Sequence, residues 1–324
     1  MSINNSIKSI LKKLLPAYHV SLRLEEQLYR MEYKMELMNK RQEMMFWWYL
    51  RKDEESLMET KKRFFHNLPK ADGILRSIQM ELLTMMDKLN QICILHNISY
   101  WLDCGNLLGA VRHKGFVPWD DDIDIGMTRR EFDKLFEIIA TDPDLEIRYL
   151  YDYKNIYCFP KVFYRHKGMQ CFIDILVYEE ICCGSLSDVE VIWKERKYLQ
   201  KSFHKELFEY LGPNSKSSKY IDILEEESSY FFRKICRKYS ERISELSNGC
   251  EKYLMICLEF PVDLCTKARC YPKEWMYPIK FAEFENCEFM VPNCEEIYLQ
   301  KLYGDIYCLP DDAGYQRHIN KRSN

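Results

Sequence analysis

Residues 101–125 read WLDCGNLLGAVRHKGFVPWDDDIDI, and they hold the side chains best suited to chemistry. In an extended strand, residues two apart share a face. Asp120, Asp122 and Asp124 are therefore predicted on one side, with Asp121, Ile123 and Ile125 on the other. Carboxylates held side by side repel one another unless a cation neutralises them. Hard divalent ions, Mg²⁺ or Mn²⁺, suit such an all-oxygen site and commonly bridge to substrate phosphates. A solvated acidic turn would need no ion. A calcium loop would need a central Gly and a distal Glu, and that spacing is absent. A further acid sits inside an apolar run at Ile173–Asp174–Ile175. A lone acid in a buried strand is costly unless it is paired or on metal. Asp174 is thus the candidate third carboxylate, as ligand or general base; an ion pair with Lys161 or Arg165 is the alternative.

Between the first strand and the acids lie groups that could hold a phosphate. Gly105 and Asn106 at a helix start would present backbone N–H groups. Arg112 and Lys114 could neutralise leaving-group charge, and His113 could donate to a phosphate or relay a proton. Trp101, Trp119 and Tyr157 could stack on a base or surround a quaternary ammonium, though core packing is the ordinary use of such rings.

The elements that must position these residues follow from periodicity. The spacing predicts a helix over 74–96, with Leu75, Ile78, Leu82, Met86, Leu89 and Cys93 on one face, then a strand at Ile98–Asp103. Gly105 opens a short helix, and Gly115 and Pro118 turn the chain into a strand at Asp120–Ile125. Thr128 and Glu131 form a capping box for a helix ending at Ile139. Strands are predicted near Glu146–Tyr151, Phe159–Phe163 and Phe172–Val177. Residues 188–259 read as mostly helical, interrupted at Gly212–Ser218. Strands at Lys280–Glu283 and Glu288–Val291 and a helix at Glu295–Leu302 follow.

The N-terminal 60 residues differ from the rest. Leu24, Leu28, Met31, Met35, Met38, Met45 and Tyr49 recur in steps of four and three, with Gln42 in the one polar slot. Charged residues such as Glu25, Arg30, Glu32, Lys34 and Lys40 lie between them, the pattern of a coiled-coil seam. Ile3, Ile7, Ile10 and Leu14 keep the phase upstream, and Pro16 marks an expected break or kink. Three uses stay open: homo-oligomerisation, docking on a membrane surface through Trp47, Trp48, Lys8, Lys12 and Lys13, or packing on the catalytic domain.

Composition bounds the rest. Apolar residues make up 47% of the 324 and aromatic residues 14%, enough for a sizeable core, and the net charge of −3 leaves no basic footprint for nucleic acid. The longest densely apolar run, Met44–Leu50, is far short of the ~20 residues of a spanning helix. With no secretory signal, the expectation is a cytoplasmic protein, peripheral at the inner membrane face if the N-terminal helix docks there. Its 14 cysteines, with no CxxC pair, are then reduced and buried rather than bridged or on zinc.

The run GNLLGAVRHKGFVPWDDDIDI resembles the signature of the LicD family, related to fukutin and fukutin-related protein. The resemblance covers residues 72–180 well and 280–312 loosely, where YLQKLYGDIYCLP (Tyr298–Pro310) is similar to a C-terminal YGD element. Gly105–Asn106 stands where the family more often has Gly-Thr. The resemblance implies an α+β fold, a nucleotidyltransferase-like small mixed sheet flanked by helices. A long coiled-coil-like helix (1–68) would precede a catalytic core (69–185), a mostly helical region (186–270) and a C-terminal part of the catalytic domain (271–324). It further implies catalytic Asp122, Asp124 and Asp174, and Mg²⁺ or Mn²⁺ on Asp122 and Asp124 with Asp120 assisting. The implied reaction moves phosphocholine, or a similar phospho-alcohol, from CDP-choline or another CDP-alcohol to a hydroxyl of a cell-surface glycan, lipid-linked or free, such as capsule, lipopolysaccharide or teichoic acid. The rivals are nucleotidyl transfer from an NTP and a non-catalytic coiled-coil scaffold.

Overall fold

A computed structural model describes residues 5–152, 157–166, 171–211, 222–223, 226–247, 249–259 and 269–309. The chain divides into two compact units, residues 1–64 and 65–324. The expected interruption at Gly212–Ser218 and the side chains of Ile3, Ile7, Ile10, Leu14, Lys8, Lys12, Lys13 and Tyr157 lie outside what is described.

In the first unit, α1 (Asn5–Leu50) is one helix of 46 residues. It continues through Pro16, where a break or kink was expected. A proline deletes one backbone donor, here the bond to the carbonyl four residues back, and the intact turns on either side carry the helix across that gap. The seam residues Leu24, Leu28, Met31, Met35, Met38, Met45 and Tyr49 are all exposed. The next helix, α2 (Leu57–His66), begins with a reciprocal capping box: Ser56 N–H donates to Glu59 Oε2 at 2.7 Å, and Glu59 N–H donates to Ser56 Oγ at 3.2 Å. Phe64 of α2 meets Phe46 and Trp47 edge to face, with centroids 5.4 and 5.2 Å away.

The second unit is α+β: a mixed sheet flanked by helices. Helix α3 (Gly73–Leu95) buries Leu75, Leu82, Met86, Leu89 and Cys93, as its spacing predicts. The predicted Ile98–Asp103 strand is shorter, with β1 confined to Trp101–Leu102, and α4 (Cys104–His113) follows at once. Strand β2 covers Ile123–Thr128, three residues later than expected. Pro118 and Trp119 form a turn and Asp120 N–H donates to Val117 carbonyl at 2.9 Å, so the chain becomes extended only after the third aspartate.

Helix α5 (Arg129–Ile139) starts where predicted, with Thr128 Oγ1 accepting from Glu131 N–H at 3.4 Å. Only half of the box forms, because the Glu131 carboxylate accepts from Ser99 N–H instead. Strands β3 (Leu145–Asp152), β4 (Tyr157–Tyr164) and β5 (Ile173–Cys183) follow. Helices α6 (Leu186–Leu211) and α7 (Glu226–Glu245) flank the two-residue β6 (Asp222–Ile223).

A strand, β7 (Glu251–Ile256), then appears inside the stretch read as helical. Its short run YLMI carries no helical period, and the second half of β5 offers an edge with which it pairs antiparallel, Tyr178 opposite Ile256 to Cys183 opposite Glu251. Beyond it come β8 (Cys270–Pro272), α8 (Lys273–Met276), the hairpin β9 (Lys280–Phe284) and β10 (Cys287–Val291), and α9 (Glu295–Tyr303). Glu285 and Asn286 form the hairpin's two-residue turn with φ of +53° and +65°, the primed geometry that matches strand twist.

The main sheet runs β1-β2-β5-β4-β3-β6, with β7 on β5 and β8 on β7. Its 11-residue strand β5 is the axis, buried along nearly its whole length, and the β2–β5 pairing is parallel. That register sets Asp124 beside Asp174, and the antiparallel β4 sets Lys161 against Asp174 from the other side. Among the described residues no helix is long and apolar enough to cross a membrane. The described cysteines are mostly buried or half-buried, and burial pushes the Cys93 and Cys270 thiols up to about 12.

Candidate active site

Asp122, Asp124 and Asp174 come together: one carboxylate oxygen of each lies within 4.8 Å of the others. Two of these acids stand second in the parallel strands β2 and β5, which lie ~4.8 Å apart. Asp122 precedes β2 and shares the face of Asp124. Asp120 groups instead with Asp121 and Asp122, again within 4.8 Å, and Asp121 is buried. The alternation expected of a strand therefore holds for Asp122, Asp124 and the core residues Ile123 and Ile125, whereas Asp120 sits in the turn before it.

Burial, first, and then the charges of Asp122, Asp174, Asp103 and Asp120 hold the Asp124 carboxyl well above the usual carboxylate range. Like charges at this spacing are what a divalent cation relieves, and an all-carboxylate donor set fits Mg²⁺ or Mn²⁺. Asp174 also has the partner weighed as its alternative. Lys161 Nζ donates to Asp174 Oδ1, and both side chains are buried. Lys161 Nζ also lies 3.7 Å from the Phe172 ring centroid. Arg165, the other candidate partner, donates instead to the carbonyls of Asp142, Ile139 and Ala140.

The N-terminus of α4 packs against the acids. Asn106 is buried and bridges them: its Nδ2 donates to Asp122 carbonyl at 3.0 Å and its Oδ1 accepts from Asp124 N–H at 2.6 Å. Gly105 lets the turn approach, since a Cβ there would stand 2.4 Å from Asp120 Oδ2. Asp103 is fully buried and caps α4, accepting from Cys104 N–H at 2.7 Å, Tyr298 OH at 2.6 Å and Tyr178 OH at 3.0 Å. Cys104 itself has φ +47°, a left-handed conformation that costs a non-glycine residue of order 1–3 kcal/mol. Arg269 donates to its sulfur at 3.5 and 3.6 Å.

Arg112 lies at the far end of α4, about 10 Å along the axis from Gly105. It is buried, donates to Ile306 carbonyl at 3.0 Å and covers the Phe65 ring at 3.9 Å. His113 Nδ1 bonds Phe65 carbonyl at 2.8 Å, and Lys114 pairs with Glu283 at 3.2 Å. Lys161 pairs with Asp174, and Arg269 stands at the start of α4 against Cys104 and near Asp103. Of the aromatic candidates, Trp101 is core, lying across Gly126 where a Cβ would come within 2.2 Å of its indole, and Trp119 is half-buried beside Asp120.

Four residues beyond the motif belong to this site. Asp103 could have been found as the polar residue directly before a helix start. Tyr298 and Tyr303 fall in the YGD segment singled out by resemblance, and burial together with Cys104, Asp124 and Asp103 holds the Tyr303 phenol well above its usual value. Arg269 has no sequence signal, because it is an isolated arginine beside an unremarkable short strand.

Two histidines set a pH response. Burial pushes His113 and His204 down to about 4 from an ordinary 6.5. A depressed histidine is neutral in the fold while the unfolded chain takes up the proton, so stability is full above 6.5 and is lost as pH falls toward about 4. Urea unfolding across that window should show a falling midpoint, and a His204→Gln variant should show a shallower fall. An unchanged slope in the variant would remove His204 from this role.

The fold is thus α+β, a mixed sheet flanked by helices, with Asp124 and Asp174 on adjacent parallel strands. Residues 97–209 match the family model described as LicD/FKTN/FKRP, nucleotidyltransferase domain. The lipopolysaccharide cholinephosphotransferase LicD of Haemophilus influenzae is 27% identical over 261 residues, covering 75% of this chain and 95% of that protein. An uncharacterised protein of Rickettsia prowazekii is 35% identical over 100 residues, 29% of this chain and 36% of that protein. The human ribitol 5-phosphate transferase FKRP is 53% identical over 30 residues, 9% of this chain and 6% of that protein.

Proposed function

We propose that the protein transfers phosphocholine, or a similar phospho-alcohol, from a CDP-activated donor to a hydroxyl of a surface glycan such as lipopolysaccharide, capsule or teichoic acid. The observation that carries this reading is the Asp122–Asp124–Asp174 cluster at the start of two parallel strands, in a domain similar to a lipopolysaccharide cholinephosphotransferase. Asp122 and Asp124 would hold Mg²⁺ or Mn²⁺, with Asp174 completing the set and Asp120 assisting. The bound ion would neutralise charge on the donor's diphosphate and on the leaving oxygen.

The chain's own groups supply the rest. Asn106 fixes the backbone on which Asp122 and Asp124 are mounted, and Asp103 fixes the start of α4 beside them. Arg269 adds positive charge where the phosphates would lie. Lys161 donates to Asp174 and orients it, which suits it to serve as ligand or as the base that takes the acceptor's proton. A cytoplasmic enzyme at the inner membrane face, meeting a lipid-linked glycan, is the setting this reading favours.

Likeness to a ribitol 5-phosphate transferase supports a second donor, CDP-ribitol. Incubation with radiolabelled CDP-choline or CDP-ribitol and a lipopolysaccharide acceptor tests both. CMP release with label on the glycan is expected from one donor. Pyrophosphate release from CTP or ATP, with neither CDP-alcohol consumed, would replace this reading with nucleotidyl transfer.

A further inference from the structure

We infer that residues 24–49 of α1 bind a second copy of this chain as a parallel, in-register two-stranded coiled coil. This stands independently of the catalytic reading. Assigning Leu24 to heptad position d places Leu28, Met35, Gln42 and Tyr49 at a, and Met31, Met38 and Met45 at d. Every apolar residue of this seam is exposed, from 54% for Leu24 to 87% for Tyr49.

The rest of the helix surface carries charged pairs together with the exposed Tyr29, Tyr33, Leu37, Met44 and Trp48. The ion pairs Glu26–Arg30 at 2.7 Å and Glu36–Lys40 at 2.6 Å occupy outward positions b, c and f. The chain's own α2 takes the e and f side of the last turns, where Phe46 and Trp47 meet Phe64, and leaves Met45 and Tyr49 open.

Charge and polarity name the occupant. Glu25 and Glu32 line the e flank, while Lys34 and Arg41 line the g flank. In a parallel pair the basic flank of one helix faces the acidic flank of the other, whereas an antiparallel pair sets like against like. A lone polar a residue among apolar ones specifies register, and Gln42 meets its own copy only when two helices run parallel and in register. A lipid surface fits less well. Residues 24–49 hold five glutamates against four arginines and lysines, so the polar face lacks the basic excess that anionic lipid attracts.

Sedimentation equilibrium of the full chain at micromolar concentration tests this. The expected mass is that of two chains. The variant Met31→Lys/Met35→Lys should weaken association by at least about 100-fold, while the outward substitution Glu36→Ala should leave it unchanged. Circular dichroism confirms that each variant keeps the folded second unit. Under mild oxidation, Gln42→Cys should cross-link at least about tenfold faster than the outward Lys40→Cys, each measured against the unmodified chain. A monomeric mass, an unchanged mass in the seam variant, or equal cross-linking at both positions would overturn the proposal. Flotation of a monomeric protein on phosphatidylglycerol vesicles, lost in the seam variant, would likewise overturn it and assign the seam to lipid.

Discussion

Asp124→Asn is expected to lower turnover by about a thousandfold or more, ~4 kcal/mol of barrier, with the fold intact. The carboxylate lies between Asp122 and Asp174 and is the group on which the charges of four other acids converge. Removing its charge removes a central ligand of the proposed ion. It also removes a cost. Burial and like charges raise the folded pKa above the ordinary 3.8, so ionised Asp124 disfavours the fold. The sign follows: the protonated form is favoured in the fold, the stability it contributes is present at low pH, and it is lost as pH rises through the folded value. Chelator-treated Asp124→Asn should therefore match or exceed the wild type in thermal stability at neutral pH, and should gain none of the stabilisation that Mn²⁺ gives the wild type. Wild-type turnover in Asp124→Asn would remove this cluster from the chemistry.

Arg129→Ala should have the largest effect on folding, about 3–5 kcal/mol, because it leaves two buried carboxylates without their cation. Arg129 opens α5 and is buried. Its Nε and Nη2 donate to Glu179 Oε1 at 3.0 and 2.8 Å, and Nη2 reaches Glu259 Oε1 at 2.5 Å. Ser240 of α7 donates to the other oxygen of Glu179. One guanidinium thus ties α5, β5, α7 and the end of β7 around the sheet. Burial alone would raise the Glu259 pKa, but Arg129 and the neighbouring Cys257 and Cys236 thiols bring it below its usual value. That stability is present above the ordinary 4.5 and lost as pH falls through the folded value. Calorimetric unfolding should show a midpoint lowered by roughly 10 °C. A change of only a degree or two would mean that the carboxylates find other partners.

Much of the site was legible because strand chemistry is local. Alternation put Asp122 and Asp124 on one face, and an acid within an apolar run marked Asp174. What could not be read was the parallel pairing of β2 with β5, which links residues 50 apart and is set by packing. The basic residues were harder to place. Arg112, His113 and Lys114 are close to the aspartates in sequence, and at the end of α4 Arg112 donates to Ile306 carbonyl, His113 bonds Phe65 carbonyl and Lys114 pairs with Glu283. Arg269, which reaches Cys104 at the start of α4, arrives from beyond β7. Strand β7 was hidden because a six-residue run becomes a strand only where an edge awaits it. Helix boundaries fared better, since caps such as Thr128 are fixed by side chains within one turn. Pro16 does not break α1, its one missing donor being outweighed by the turns on both sides.

The most direct test of the central claim is calorimetric titration of the wild type and Asp124→Asn with CDP-choline, CDP-ribitol, CDP-glycerol, CTP and ATP, each with and without Mg²⁺. Binding of one CDP-alcohol that requires Mg²⁺ and disappears in the variant is the predicted result. Binding of CTP or ATP alone, or CDP-alcohol binding indifferent to both the metal and Asp124, would contradict it.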